Sequence, residues 1–189
     1  GETAVLDLLE TITGFRSTAA FDPEDLDSHP FPAFDLQSKI AYAPLLTSRG
    51  CPYACDYCAS KILMPRFLRM SPDRVAKEIF YWQDCFGVKN FAFYDDALLV
   101  DADRHAIPLF ERFIASNRKF QFHTPNAVHI REITPKIAGL MRSAGMKTLR
   151  LGLETSDFSH REMDRKVVEA EFVQAVNYLR EAGFQKDQV

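Results

Sequence analysis

The sequence predicts an α/β fold, a partial (β/α) TIM-type barrel, and three observations predict it. Stop signals recur at Gly87, Asn117, Gly145 and Gly183, each followed within three residues by a lysine. Glycine and asparagine tolerate the left-handed conformation that ends a helix. The stops lie 30, 28 and 38 residues apart, close to the ~30 residues of one βαβ unit. Helix starts agree with the stops. Ser71-Pro72 and Thr134-Pro135 each pair a cap residue with proline at the first helical position. Finally, a short apolar run precedes each helix, as a strand buried in a parallel sheet requires.

Taken in order, residues 3–13 carry Val5, Leu8, Leu9 and Ile12 at helical spacing, and Gly14 closes them. Residues 22–35 hold Pro23, Pro30 and Pro32 among Asp22, Glu24, Asp25, Asp27 and Asp35. Proline blocks regular helix and central strand, so an extended linker is expected. Residues 1–35 thus read as the tail of a preceding domain, and 36–189 as a barrel segment interrupted before its fifth strand. Strands are expected near Ile40–Thr47, Asn90–Tyr94, Phe120–His123 and Thr148–Leu153. The first helix buries Val75, Ile79 and Trp82; the second Ile107, Phe110 and Ile114; the third Ile137, Leu140, Met141 and Ala144; the fourth Phe172, Val173, Val176 and Leu179. A full barrel takes eight units. Four leave a sheet edge open, so self-association through that edge is expected, or disorder around Gly50–Leu68 when no metal group is bound.

Composition narrows the function. Of 189 residues 47% are apolar and 26% charged, which excludes wholesale disorder. Lys and Arg number 23 against 26 Asp and Glu, a net charge of −3. That balance indicates no nucleic-acid partner, and the 16 phenylalanines fall at core positions rather than forming a stacking platform. No apolar run approaches the ~20 residues of a membrane helix. Gly1–Glu10 is acidic rather than a basic leader. A cytoplasmic protein without a membrane partner is expected. Four cysteines are too few for a disulfide scaffold, and three of them fall within eight residues, which suggests metal.

Cys51, Cys55 and Cys58 follow the first strand with C-x3-C-x2-C spacing. Thiolates are soft ligands, suited to iron–sulfur clusters and to zinc. A [4Fe–4S] cluster normally takes four protein thiolates; three leave one iron open to a small molecule. A zinc ribbon needs two CxxC pairs where this chain has one, so a zinc-stabilised α/β binding module without catalysis would need Cys85 or a histidine as fourth ligand. Cys85 stands alone in a helix and reads as a small buried apolar residue. Spacing alone leaves iron–sulfur, zinc and free thiols all open.

In parallel α/β folds ligands bind at the C-terminal ends of the strands. The first strand runs into the cysteines, the second into Tyr94-Asp95-Asp96, the third into His123-Thr124-Pro125-Asn126, and the fourth into Glu154-Thr155-Ser156. Adjacent carboxylates can accept hydrogen bonds from an ammonium group, or can cap a helix.

With Tyr57 directly before the third cysteine, the motif resembles that of the radical S-adenosylmethionine (radical SAM) enzymes. The resemblance spans residues 28–189 and implies the first four strand–helix units of a radical SAM core. It implies a [4Fe–4S] cluster on Cys51, Cys55 and Cys58, whose open iron chelates S-adenosyl-L-methionine. One electron then cleaves the sulfonium to methionine and a 5′-deoxyadenosyl radical, for hydrogen abstraction or radical methyl transfer on a small-molecule or macromolecular substrate. An electron donor such as flavodoxin or ferredoxin is implied with it. The cofactor-binding residues implied are Tyr57, Asp95 or Asp96 on the methionine amino group, Glu154 and Ser156 in a stretch similar to the family's Gly-(Ile/Leu)-Glu-Ser, and Lys166, ahead of Arg165, on the carboxylate. His123 and Asn126 match no fixed position of the family, although Asn126 can reach cofactor or substrate, and His129 is a further candidate beside His123. Leu26-Asp27-Ser28-His29-Pro30-Phe31-Pro32 looks like the linker of a branch in which a cobalamin-binding domain precedes the barrel. Cobalamin in the full-length protein is implied by that analogy, although no D-x-H-x-x-G signature stands in this chain.

Overall fold

A computed structural model of the chain describes residues 2–16, 22–55, 57–154, 157 and 167–189. Its elements run α1 (Glu2–Thr13), β1 (Ala43–Leu45), β2 (Ser48–Arg49), α2 (Ser60–Leu63), β3 (Leu68–Arg69), α3 (Pro72–Phe86), β4 (Asn90–Phe93), α4 (Ala106–Ala115), β5 (Gln121–His123), α5 (Pro135–Ala144), β6 (Met146–Thr148) and α6 (Glu169–Glu181). Strands β1, β4, β5 and β6 form one parallel sheet in that order. The short β2 and β3 pair antiparallel beside it.

The anticipated punctuation holds. Gly87, Asn117, Gly145 and Gly183 have φ of 67°, 55°, 104° and 93°. Gly145 has a second reason to be glycine, since a Cβ there would run into the Phe120 carbonyl oxygen. The Ser71 hydroxyl accepts from Arg74 N at 3.1 Å, and Thr134 from Ile137 N at 3.2 Å, capping α3 and α5. The core lies on the helix-covered face of the sheet. Phe91, Phe93 and Phe122 are fully buried there, and Phe113 of α4 meets Phe122 with ring centroids 4.7 Å apart.

Three expectations are corrected. The segment at 22–35 is not extended throughout: it makes 3₁₀ turns at Leu26–Ser28 and Phe34–Leu36. Leu26 is buried, the Phe34 ring sits 5.1 Å from Trp82, and Asp27 accepts from Ser71 N at 2.7 Å, so the segment docks on α3. The fourth strand starts at Met146 and breaks at Thr148. Pairing shifts register between Phe122 and His123 and resumes as a single Val128–Leu151 bridge. Ile114 and Val173 are exposed where burial was expected, because α4 and α6 bury a different arc, including Phe113 and Ala175. Along α1 the apolar residues Val5, Leu8, Leu9 and Ile12 are exposed. The sheet edge at β6 is partly covered, since Leu149 N donates to Gln188 O at 2.7 Å.

Candidate functional site

The loops that follow β1, β4, β5 and β6 converge on one cavity of about 430 Å³. The first of them supplies the thiols. Ser48 hands the chain to Gly50, whose φ of 78° only glycine adopts readily. A Cβ there would stand 2.5 Å from the Arg66 carbonyl oxygen, so the backbone of the loop closes on itself at the residue before Cys51. Cys58 N donates to Cys55 O at 3.0 Å, turning the second and third thiols toward the same space. Ser60 N lies 3.5 Å from Cys58 Sγ as a donor to it. Cys51 is buried, Cys55 half-buried and Cys58 exposed, and all three are free. Burial pushes the Cys51 thiol up, with the Tyr53 backbone working against it.

The other loops bring oxygen donors. Asp96 lines the cavity, and the Ser60 hydroxyl donates to its Oδ2 at 3.0 Å. Asn126 lines it too, its amide nitrogen donating to the Tyr94 carbonyl at 2.7 Å. Glu154 completes the rim from a left-handed backbone with φ of 62°. That conformation is uncommon for a residue with a Cβ and is concentrated at functional sites. Tyr57 is exposed at the mouth.

Asp95 goes elsewhere. Its Oδ1 accepts from Thr47 Oγ1 at 2.8 Å and Ser48 Oγ at 2.6 Å, and the group is buried outside the cavity. Burial holds its carboxyl above the usual carboxylate range. Thr47 also meets His105 Nε2 at 2.8 Å. His123 is likewise outside. Its Nδ1 lies 2.8 Å from Thr148 Oγ1 and its Nε2 3.3 Å from Asn90 Oδ1, on the wall of a neighbouring cavity of about 510 Å³. Burial and the nearby Lys147 push that imidazole below its usual pKa. Cys85 is exposed on α3 and does not line the site, which corrects its reading as a buried apolar residue. Thr155, Ser156, Arg165 and Lys166 lie outside the described residues.

The cavity also contains residues that sequence reasoning missed or ranked low. Tyr53, Ser60 and His129 line it. Ser60 stands two positions after the third cysteine, a local signal that could have found it. Tyr53 and His129 meet only through a contact 76 positions apart in the chain, for which no periodicity gives a sign.

Soft thiolates on a tight loop, beside carboxylate and amide oxygens, suit a thiolate-held cluster with one open position. Among the described residues no three His, Cys, Asp or Glu side chains converge as ligands of one metal ion.

Residues 45–189 match the family model of the Radical SAM superfamily, and the chain belongs to that superfamily. Its members use a [4Fe–4S] cluster and S-adenosylmethionine. The hopanoid C-2 methylase of Rhodopseudomonas palustris is 28% identical over 145 residues, which are 72% of this chain and 27% of that protein. An uncharacterised methyltransferase of Pyrococcus horikoshii is 26% identical over 141 residues, 70% of this chain and 30% of its own length. The radical S-adenosylmethionine methyltransferase TsrM from Kitasatospora setae, solved with cobalamin and a [4Fe–4S] cluster, superposes with a TM-score of 0.64 at 17% identity, over 76% of this chain and 29% of that one. The shared fold is the (β/α) barrel type that the strand–helix count predicts. The chain spans under a third of the length of these relatives. Among the described residues no helix is long and apolar enough to cross a membrane.

Proposed function

We propose that this chain carries the cluster-binding part of a radical methyltransferase, in which Cys51, Cys55 and Cys58 would hold the [4Fe–4S] cluster and the rim residues would hold S-adenosylmethionine. The observation that carries this reading is the meeting of the three thiols, Asp96, Asn126 and Glu154, from four successive strand ends, around one cavity. Held by Cys51, Cys55 and Cys58, the cluster would supply the electron for reductive cleavage of S-adenosylmethionine bound beside it.

The chain's own residues bind and orient. Asp96 accepts hydrogen bonds from the methionine ammonium group, its carboxylate held in place by the Ser60 hydroxyl. Glu154 accepts from ribose hydroxyls, a task for which two lone-pair-rich oxygens are suited. Asn126 presents its amide at the same face. Ser156 and Lys166 remain expected contacts to the cofactor, and Tyr57 shields the mouth. Asp95 acts beneath the site by holding Thr47 and Ser48, not by touching the cofactor.

Methyl transfer is supported by the names of two relatives, a hopanoid methylase and an uncharacterised methyltransferase. Cobalamin is supported by the TsrM structure that contains it. In this reading residues 1–35 lead in from a domain that holds cobalamin, and a one-electron carrier of the flavodoxin or ferredoxin kind reduces the centre. Anaerobic reconstitution with iron and sulfide, reduction, and EPR with and without S-adenosylmethionine test the reading. A [4Fe–4S]⁺ signal that changes when S-adenosylmethionine is added supports it; zinc uptake without a cluster overturns it.

A further inference from the structure

His129 has no counterpart among the family residues matched above, yet it is buried against the first thiol. Its Nε2 lies 4.0 Å from Cys51 Sγ, within reach of an N–H···S hydrogen bond. The ring is held from the other side. Tyr53 packs on it with centroids 4.8 Å apart, and the Tyr53 hydroxyl donates to Glu132 Oε1 at 2.5 Å. Glu132 sits on the 3₁₀ turn Ile130–Glu132 that begins directly after His129. Arg131, on the same turn, lies over the outer face of Tyr53 at 5.3 Å. One short turn therefore both carries the imidazole and anchors the ring that braces it.

The chemistry of the loaded site decides which way this contact points. A cysteine that holds metal is a thiolate and has no proton to give. An imidazole nitrogen presenting a lone pair to it would be repelled, so Nε2 must carry the proton and donate. Reduction of a cluster adds negative charge that its sulfurs share, and a donor to such a sulfur stabilises the reduced form.

We propose that His129 is a positioning residue for the centre: its Nε2–H, held by Tyr53 and Glu132, bonds the Cys51 sulfur and raises the reduction potential of the cluster. The proposal rests on the cluster assignment above, and the test separates the two. In the intact protein, reconstituted anaerobically, iron and sulfide content and the midpoint potential are measured for wild type, His129→Phe and His129→Gln. Phe keeps a ring against Tyr53 without a donor; Gln places an N–H near the Nε2 position. The expected result is full loading in all three, a lower midpoint and altered g-values in H129F, and recovery of at least half the shift in H129Q. Should H129F take up no iron, H129Q decides: a midpoint near wild type supports the bond, and one displaced well below it overturns it. A loaded H129F with wild-type midpoint and g-values also overturns it. Wild type that takes up no cluster overturns the cluster assignment itself, a failure that iron content reports directly.

Discussion

The helix-covered face of the sheet and its C-terminal rim are built from the same strands by opposite means. On the covered face Phe91, Phe93 and Phe113 each pack against Phe122, and all four are fully buried. At the rim, residues a few positions further along the same loops are polar, partly exposed and tied by single contacts, such as Ser60 to Asp96 or Asn126 to Tyr94. Removing one member of the first set leaves a void that its neighbours cannot fill. Removing one of the second changes what the cavity binds, and the fold hardly registers it. The adjacent pair Asp95 and Asp96 shows the boundary between them, with one carboxylate locked under Thr47 and Ser48 and the next facing the cavity.

The largest effect expected from that contrast is Phe122→Ala, which removes a fully buried ring between Phe93 and Phe113. It should cost about 3–5 kcal/mol in chemical denaturation. A loss under about 1 kcal/mol would show that the covered face is loosely packed.

Next comes acid. Burial, with Arg69 adding, holds His105 down to about 4 from its ordinary 6.5. Folded His105 stays neutral while the unfolded chain protonates it, so its contribution is complete above about pH 6.5 and is lost as pH falls toward 4. The full loss is on the order of 3 kcal/mol. Asp95 opposes this trend, because its raised carboxyl binds a proton more tightly in the folded state. Comparing denaturation of wild type and His105→Gln from pH 8 to pH 4 isolates the histidine: the gap in stability should narrow on the acid side. A gap independent of pH would mean that folding leaves the His105 imidazole unshifted.

Smaller effects sharpen the aspartate pair. Asp95→Asn puts a buried amide where the Thr47 and Ser48 hydroxyls donate, and should cost about 1–3 kcal/mol. Asp96→Asn, at the rim, should change stability by no more than about 0.5 kcal/mol, while weakening the response of the EPR signal to S-adenosylmethionine. If the two variants exchanged these phenotypes, the division between buried brace and cavity ligand would be wrong.

The same division explains what could be read from the amino acids. Helix ends were legible because Gly87, Asn117 and Gly145 answer a local demand on φ, and caps because Ser71 and Thr134 bond a backbone nitrogen three residues on. The cysteine loop was legible because its ligands are neighbours in the chain. Three things were not. The β2–β3 hairpin has two residues per strand, too few to show alternation. The break after Thr148 goes with a register shift in its pairing with the neighbouring strand β5, at Phe122 and His123. The bracing of His129 by Tyr53 joins loops that follow different strands, and neither residue carries a local mark of the other. Asp95 and Asp96 were both visible as candidates, but which one faces the cavity depends on Thr47 and Ser48, nearly fifty positions upstream.

Spatial order in this sheet is the order of synthesis, β1 then β4, β5 and β6. Each new strand therefore finds its partner already made when it leaves the ribosome, and no strand waits for one still to come. The cavity is assembled on the same schedule. Its three thiols emerge first, and Glu154 follows about a hundred residues later, which at typical rates of translation is roughly 5–20 s. For that interval the cysteine loop stands beside a rim that does not yet exist.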